Sequence, residues 1–328
     1  MKRVLSLLLM LFLSFGLFIG CSSEDTNNAS EQNNVNSNQK QMADADTDFP
    51  ITVKDALDNE ITMEEEPEKI VSLMPSNTEI SFALGLGDKI VGVSDHDNYP
   101  EEVDEINKIG GMELNVEKII SLQPDLVLAH ESGAEYSKKA LQQLRDADIT
   151  VFVVTDAQSI ESAYTSIKNI GTITGTEDKS DDMIKDMKEG FAEIQEKTEA
   201  IQDKDRQSVF MESSPEPEIF TAGKNTFWQE LLTIIHADNA AKEQEGWVQL
   251  DPEAIVELNP DVILTTYGDY IDNPVDQVLD RDGWSNVTAI KEKQVFDIDA
   301  DLVSRPGPRL VDGAKEMAKV VYPEIFEE

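Results

Sequence analysis

Chemistry in a sequence starts from its nucleophiles, metal ligands and paired acids, and here they are sparse or uninformative. The chain has one cysteine, Cys21, and three histidines, His96, His130 and His236. The histidines are too scattered to define a metal site. No G-x-S-x-G, H-E-x-x-H or C-x-x-C occurs, and Gly171 and Gly175 do not lead into the Lys-Ser/Thr that closes a phosphate loop. With 66 acidic residues, a neighbouring pair of carboxylates carries no information. The residues thus argue against an enzyme. They leave a binding protein, whose polar groups should lie beyond the carboxyl ends of parallel strands. By that rule the positions to watch are Pro75-Ser76-Asn77, Asp95-His96, His130-Glu131, Thr266-Tyr267 and Asp299 to Arg305.

The elements that would position these groups announce themselves through a repeat. LNVEKIISLQPDLVLAH begins at Leu114 and LDPEAIVELNPDVILTTY begins at Leu250. Asn115 and Asp251 are capping types, and Val116 and Pro252 take the first helical position. Glu117 and Glu253 fall in the first turn, where a carboxylate complements the helix dipole. Ile119, Ile120 and Leu122, like Ile255, Val256 and Leu258, are expected to pack inward. Pro124 and Pro260 stop the helices, and buried strands follow from Asp125 and Asp261. The copies are identical at Leu114/Leu250, Glu117/Glu253, Ile119/Ile255, Leu122/Leu258, Pro124/Pro260, Asp125/Asp261 and Leu128/Leu264. Packing, capping and helix stopping account for most of these. They do not demand the glutamate pair, since Asp, Ser or Gln serves the dipole as well.

A helix–strand unit cannot bury itself alone, so two copies imply two α/β lobes with central parallel sheets of Rossmann type. The first lobe is assigned to residues 49–175. It opens with a hairpin around Asp58-Asn59, then a strand from Lys69 to Leu73, a turn at Pro75-Ser76-Asn77, and a helix through Ile80 and Leu86. Residues 204–328 form the second lobe. Between them, residues 176–203 place Met183, Ile184, Met187, Phe191, Ile194 and Ile201 at helical spacing. That predicts one long amphipathic connecting helix rather than a flexible linker, with a ligand cleft between the lobes.

The ends and the charge bound the setting. Lys2 and Arg3 precede an apolar run from Val4 to Ile19 and then Cys21, as in a secretory signal. The run of roughly 16 residues is short for a bilayer span. The pattern resembles a lipoprotein box, with Phe18 where such boxes usually carry Leu. It implies lipidation of Cys21, export, and anchorage on the outer face of the cytoplasmic membrane. An ordinary signal peptide or uncleaved anchor is the other reading. Residues 22–48 are rich in Asn, Gln, Ser and Asp and read as a disordered tether. A formal net charge of −39 argues against nucleic acid and anionic lipid surfaces as partners, since both would be repelled.

Five motifs together carry a family resemblance: P-S-N-T-E at Pro75, G-V-S-D-x-x-x-Y-P at Gly92, the repeat itself, F-T-A-G-K at Phe220, and S-R-P-G-P-R at Ser304. They resemble the helix-linked substrate-binding lipoproteins of ABC importers for cobalamin and iron complexes, most of all the cobalamin branch. The resemblance implies capture of a corrinoid in the cleft and delivery to a permease dimer driven by a cytoplasmic ATPase. It implies no catalysis, no resident cofactor or metal, and no nucleic-acid partner. It assigns permease docking to Glu117 and Glu253, one per lobe, since two-fold related partners need one feature presented twice; dipole complement alone is the other account. Phe220 and Trp247 stand where the branch lines its cleft with aromatics, although Trp247 could instead be core. Asn77, Asp301 and Arg305 fall in ligand-contact loops, with an Asp301–Arg305 ion pair as the competing role. His96 and His130 replace aromatics of the branch, and Gly111 stands where a Trp can occur. These departures imply a roomier, more polar cleft and keep a ferric siderophore or haem open as cargo, imidazole being a good iron ligand.

Overall fold

The computed structural model describes residues 49–326. Cys21, the signal and the tether lie outside the described residues.

A hairpin of β1 (Ile51–Lys54) and β2 (Glu60–Met63) opens the fold. Its turn is held by Asp55, whose Oδ1 accepts from the backbone N–H of Leu57 and of Asn59, both at 2.9 Å. The first lobe then alternates strand and helix. In chain order come β3 (Ile70–Ser72), α1 (Pro75–Ala83), β4 (Ile90–Val93), β5 (Asn107–Lys108), α2 (Val116–Leu122) and β6 (Leu126–His130). After them come α3 (Glu131–Ala134), α4 (Lys138–Asp146), β7 (Thr150–Val154) and α5 (Ile160–Ile173). The five strands form one parallel sheet in the order β5-β4-β3-β6-β7. Pro75-Ser76-Asn77, expected as a turn, instead forms the first turn of α1. Pro75 needs no partner for its missing N–H there.

A long helix, α6 (Glu177–Thr198), leaves this lobe. It spans about 33 Å at 1.5 Å per residue. It stops at Thr198 rather than running to 203, and a short 3-10 turn at Asp203–Asp205 follows. Met187, Phe191 and Ile194 are its buried apolar stripe. Gly190 lets a later helix cross closely, because a Cβ there would come within 2.6 Å of Val311.

The second lobe contains β8 (Ser208–Glu212), β9 (Phe220–Ala222), α7 (Phe227–Ile234), β10 (Asp238–Asn239), β11 (Trp247–Gln249), α8 (Pro252–Leu258) and β12 (Val262–Thr265). It closes with α9 (Pro274–Leu279), α10 (Thr288–Glu292), β13 (Val295–Asp297), α11 (Ala300–Ser304), α12 (Leu310–Val321) and the short α13 (Pro323–Phe326). Its parallel sheet runs β10-β8-β12-β13, and β9 and β11 pair as a separate antiparallel ribbon. Among the described residues, no helix is long and apolar enough to cross a membrane.

The repeat proves to be α2–β6 and α8–β12. Asn115 caps α2 by accepting from Lys118 N–H at 3.0 Å, whereas Asp251 makes no side-chain cap and Pro252 starts α8. Both helices end on a left-handed residue, Gln123 and Asn259, one position before the prolines. The shared aspartates anchor neighbouring strands. Asp125 accepts from Glu68 and Lys69 N–H, and Asp261 accepts from Ser208 N–H, each at 2.9 Å. Ile119 and Ile255 are buried as expected. Ile120 and Leu258 are exposed instead, because a helix of only seven residues covers its sheet with a single row.

One apolar core runs from the first lobe through α6 and α12 into the second, including Ile80, Ile167, Phe191, Leu231 and Met317. Each sheet buries its other face in a smaller cluster, around Val127 and Val153 in one lobe and around Ile263 and Trp284 in the other. The lobes are therefore joined by packing as well as by a helix, which leaves little room for a free hinge.

Candidate functional site

A cavity of ≈ 330 Å³ opens between the lobes. Met74, Pro75, His130 and Asp156 supply one wall, and Phe227, Trp247, Arg305 and Pro306 the other. A second cavity of ≈ 240 Å³ adjoins it on the first lobe, bounded by His96, Gly111, Met112, His130 and Tyr136 among others. Met74, Pro75, His130 and Ser132 belong to both, so the two form one cleft above the carboxyl ends of β3, β4 and β6.

Trp247 is 41 % exposed and braced from behind. Its ring meets Phe227 edge-on at 5.9 Å and Trp228 at 4.8 Å. Trp228 is in turn pinned to α11 by donating Nε1–H to Val303 O at 2.7 Å. An aromatic wall thus stands ready at little conformational cost. Phe220 pairs with Gln249 two rungs from Trp247 and so shares its face of the ribbon. It is 39 % exposed yet outside the cavity wall.

His130 ends β6 and is only 8 % exposed. Its Nδ1 accepts from Ser132 N–H at 3.4 Å and lies 2.8 Å from Ser132 Oγ. Burial pushes the imidazole below its ordinary pKa of 6.5, against the opposing pull of Asp156 and Glu131. It is a neutral ring with the proton assigned to Nε2. His96 is exposed on the loop after β4, and its ring occupies the space above Gly111: a Cβ at 111 would lie 2.8 Å from Nε2. The glycine and the histidine are a size-matched pair.

Asn77 does not reach the cleft. It is fully buried beneath it and donates Nδ2–H to Ala129 O at 3.0 Å, fastening α1 to β6. Tyr267, flagged by its place after β12, is also fully buried. It donates to Glu212 Oε1 at 2.6 Å, and Arg281 Nη1 donates to Glu212 Oε2 at 2.8 Å, making an internal network of the second lobe.

Arg305 and Asp301 are committed to an ion pair, Nη2 to Oδ1 at 2.9 Å, within a larger assembly. Arg305 Nη1 donates to Glu79 Oε1 at 2.8 Å and to Asn98 Oδ1 at 2.7 Å, and Nη2 donates to His96 O at 3.4 Å. Arg309 grips the same carboxylate, Nε to Oε2 at 2.8 Å and Nη2 to Oε1 at 2.6 Å, and its guanidinium lies 4.0 Å from the Tyr99 ring centroid. Asn98 also donates to Asp301 at 2.8 Å. Three of the sequence motifs meet here. P-S-N-T-E supplies Glu79, G-V-S-D-x-x-x-Y-P supplies Asn98 and Tyr99, and S-R-P-G-P-R supplies both arginines. Their shared task is to bind lobe to lobe beside the cleft.

Glu117 and Glu253 are exposed in the first turns of α2 and α8 and make no hydrogen bond or ion pair among the described residues. Their carboxylates are free for a partner.

The family model for periplasmic binding proteins matches residues 70–302. The chain belongs to the periplasmic binding protein family. It is 48% identical over 328 residues, the full length of both chains, to the uncharacterized ABC transporter substrate-binding lipoprotein YvrC of Bacillus subtilis. It is 30% identical over 294 residues to a cobalamin-binding protein of Halobacterium salinarum, across 86% of this chain and 77% of that one. Among solved structures, a possible iron-binding, periplasmic solute-binding protein of Staphylococcus epidermidis superposes with a TM-score of 0.72 at 37% identity, covering 79% of this chain and all of that one.

As a periplasmic binding protein of ABC-transporter type, the chain binds a solute for transport rather than transforming one. Among the described residues, no group of three or more His, Cys, Asp or Glu is arranged to hold a metal ion. Sequence reasoning missed Met74, Pro306 and Phe227 as cleft residues, and Glu79 and Arg309 as the joint. The apolar ones carry no chemical signal. Glu79 and Arg309 both sat inside quoted motifs, but no sequence rule joins two positions 230 residues apart.

Proposed function

We propose that this binding protein captures a bulky metal chelate, cobalamin or a related corrinoid, and delivers it to a permease. Trp247 carries the reading: a rigid, half-exposed aromatic face across an inter-lobe cleft from His130 suits the apolar face of a flat macrocycle. The Halobacterium relative, a cobalamin-binding protein, supports the same ligand class. In this reading Cys21 carries the lipid that holds the protein on the outer face of the membrane. Glu117 and Glu253 each meet a basic group of one permease subunit. Phe220 extends the aromatic surface when the ligand is bound.

A ferric siderophore or haem is the second reading, and it is favoured by His96 and His130 lining one cavity. Titration calorimetry of the purified protein against cyanocobalamin, a ferric hydroxamate and haemin separates the two. Saturable binding of cyanocobalamin with a raised unfolding temperature supports the first; binding of haemin or the hydroxamate alone overturns it.

A further inference from the structure

The cleft is asymmetric in charge. Of all the side chains that line its two cavities, Arg305 is the single cation. Its two Nη groups already donate to Glu79, Asn98, His96 O and Asp301, which leaves only Nε–H uncommitted. A bound anion would have to compete with a buried carboxylate for that guanidinium.

One negative group in the cleft is freer. Asp156 lines the inter-lobe cavity, and its carboxylate makes no hydrogen bond or ion pair among the described residues. Glu131 lies beside it, accepting from Asp156 N–H at 2.9 Å. On the other lobe, Asp269, Asp297, Asp299 and Asp301 lie outside the residues that border the two cavities, and Asp301 is already paired with Arg305. Burial first, and then Asp299, Asp301 and Asp297, push the Asp269 carboxyl above its ordinary range despite Arg305. His130 adds a neutral donor. With Nδ1 engaged by Ser132, its Nε2 is the ring nitrogen without a partner in a residue that borders both cavities.

We propose that the cleft selects chelates of zero or positive net charge whose periphery offers uncharged acceptors, carboxamides above all, and rejects those that carry free carboxylates. This rests on the cleft being the chelate site of the preceding section, and it narrows that site's substrate class. A carboxylate ligand meets the unpaired Asp156 carboxylate and finds both Nη groups of Arg305 already committed. A carboxamide ligand escapes the repulsion and can accept from His130 Nε2–H. The net charge of −39 extends the same bias to encounter in solution.

Two matched pairs test this with the full chain. One is a corrinoid with carboxamide side chains against the same ring with free carboxylates. The other is an iron porphyrin diamide against its dicarboxylate. Affinities are measured by calorimetry at about 20 and about 200 mM salt. In whichever pair binds, the amide member should bind at least about tenfold tighter at low salt, and added salt should narrow the gap, as screening requires. Asp156→Asn should narrow it by about twofold to fivefold, the size of one charge acting through a wet cleft. Equal or tighter binding of the carboxylate member, or a gap that salt and Asp156→Asn leave unmoved, overturns charge selection while the cleft reading stands. Failure of all four compounds to bind a protein that unfolds cooperatively overturns the chelate reading, and this proposal falls with it.

Discussion

Glu79 and Arg309 lie 230 residues apart in the chain yet share two parallel hydrogen bonds, 2.8 and 2.6 Å, across the two lobes. Arg305 adds a third contact to the same carboxylate at 2.8 Å. Glu79 is only 3 % exposed. Fork-on-fork geometry fixes both distance and orientation, so this joint sets the spacing of the lobes at the edge of the cleft.

Removing Glu79 should therefore be costly in a way that removing one arginine is not. Glu79→Ala strands two partly buried guanidinium groups, and such losses run at about 3–5 kcal/mol. Arg305→Ala leaves the Arg309 fork in place and should cost about half as much. Chemical unfolding of the two variants checks this. A Glu79→Ala penalty under about 1 kcal/mol, the range of exposed ion pairs, would show the joint to be dispensable.

The same joint marks where the sequence was readable and where it was not. The α/β class, the two parallel sheets and the long helix followed from periodicity, because burial on one face imposes a fixed repeat. Gln123 and Asn259 show the next level of difficulty. Each takes a left-handed conformation with no glycine to announce it. Asp301 and Arg305 were legible as a pair, four residues apart. Glu79 was not legible as their partner, since no local rule connects positions more than 200 residues distant. Asn77 misled for a related reason. A polar side chain after a strand reads as a ligand contact, but here the backbone of β6 claims its amide. Ile120 and Leu258 misled because an apolar residue on a short helix need not find cover.

Trp247 should affect binding far more than folding. Its bracing partners Phe227 and Trp228 are themselves buried, so the core closes without it. Trp247→Ala is expected to weaken ligand binding by about 1–3 kcal/mol, the scale of one covered aromatic face. Calorimetry and thermal unfolding are to be read together. Unchanged affinity with a large stability loss would make the ring a core residue.

Glu117 and Glu253 should show the opposite pattern from Trp247. Both are exposed and unpaired, so Glu117→Ala with Glu253→Ala removes at most about 1 kcal/mol of dipole interaction from each short helix. Ligand affinity should stay within about twofold, since neither residue borders the cleft. Uptake of labelled ligand by cells that depend on this receptor should be lost. Normal uptake in the double variant would remove the docking role.

His130 gives the molecule a signed dependence on pH. Burial holds its folded pKa below the ordinary 6.5 despite Asp156 and Glu131. The unfolded chain therefore binds a proton near pH 6.5 that the folded chain resists. Stability from the neutral ring is fully present above about pH 6.5 and is lost as pH falls from there toward the lower, folded value. Titrating carboxylates add their own losses further down, so the informative quantity is a difference. His130→Gln keeps a polar side chain without a titrating ring. The variant should be the less stable protein at pH 7.5, and its deficit should shrink as pH is lowered to about 5.5. Unfolding midpoints across that range measure the gap. Parallel curves for the two proteins would mean that His130 titrates alike in the folded and unfolded chains, and that its ring is not held neutral by the wall of the cleft.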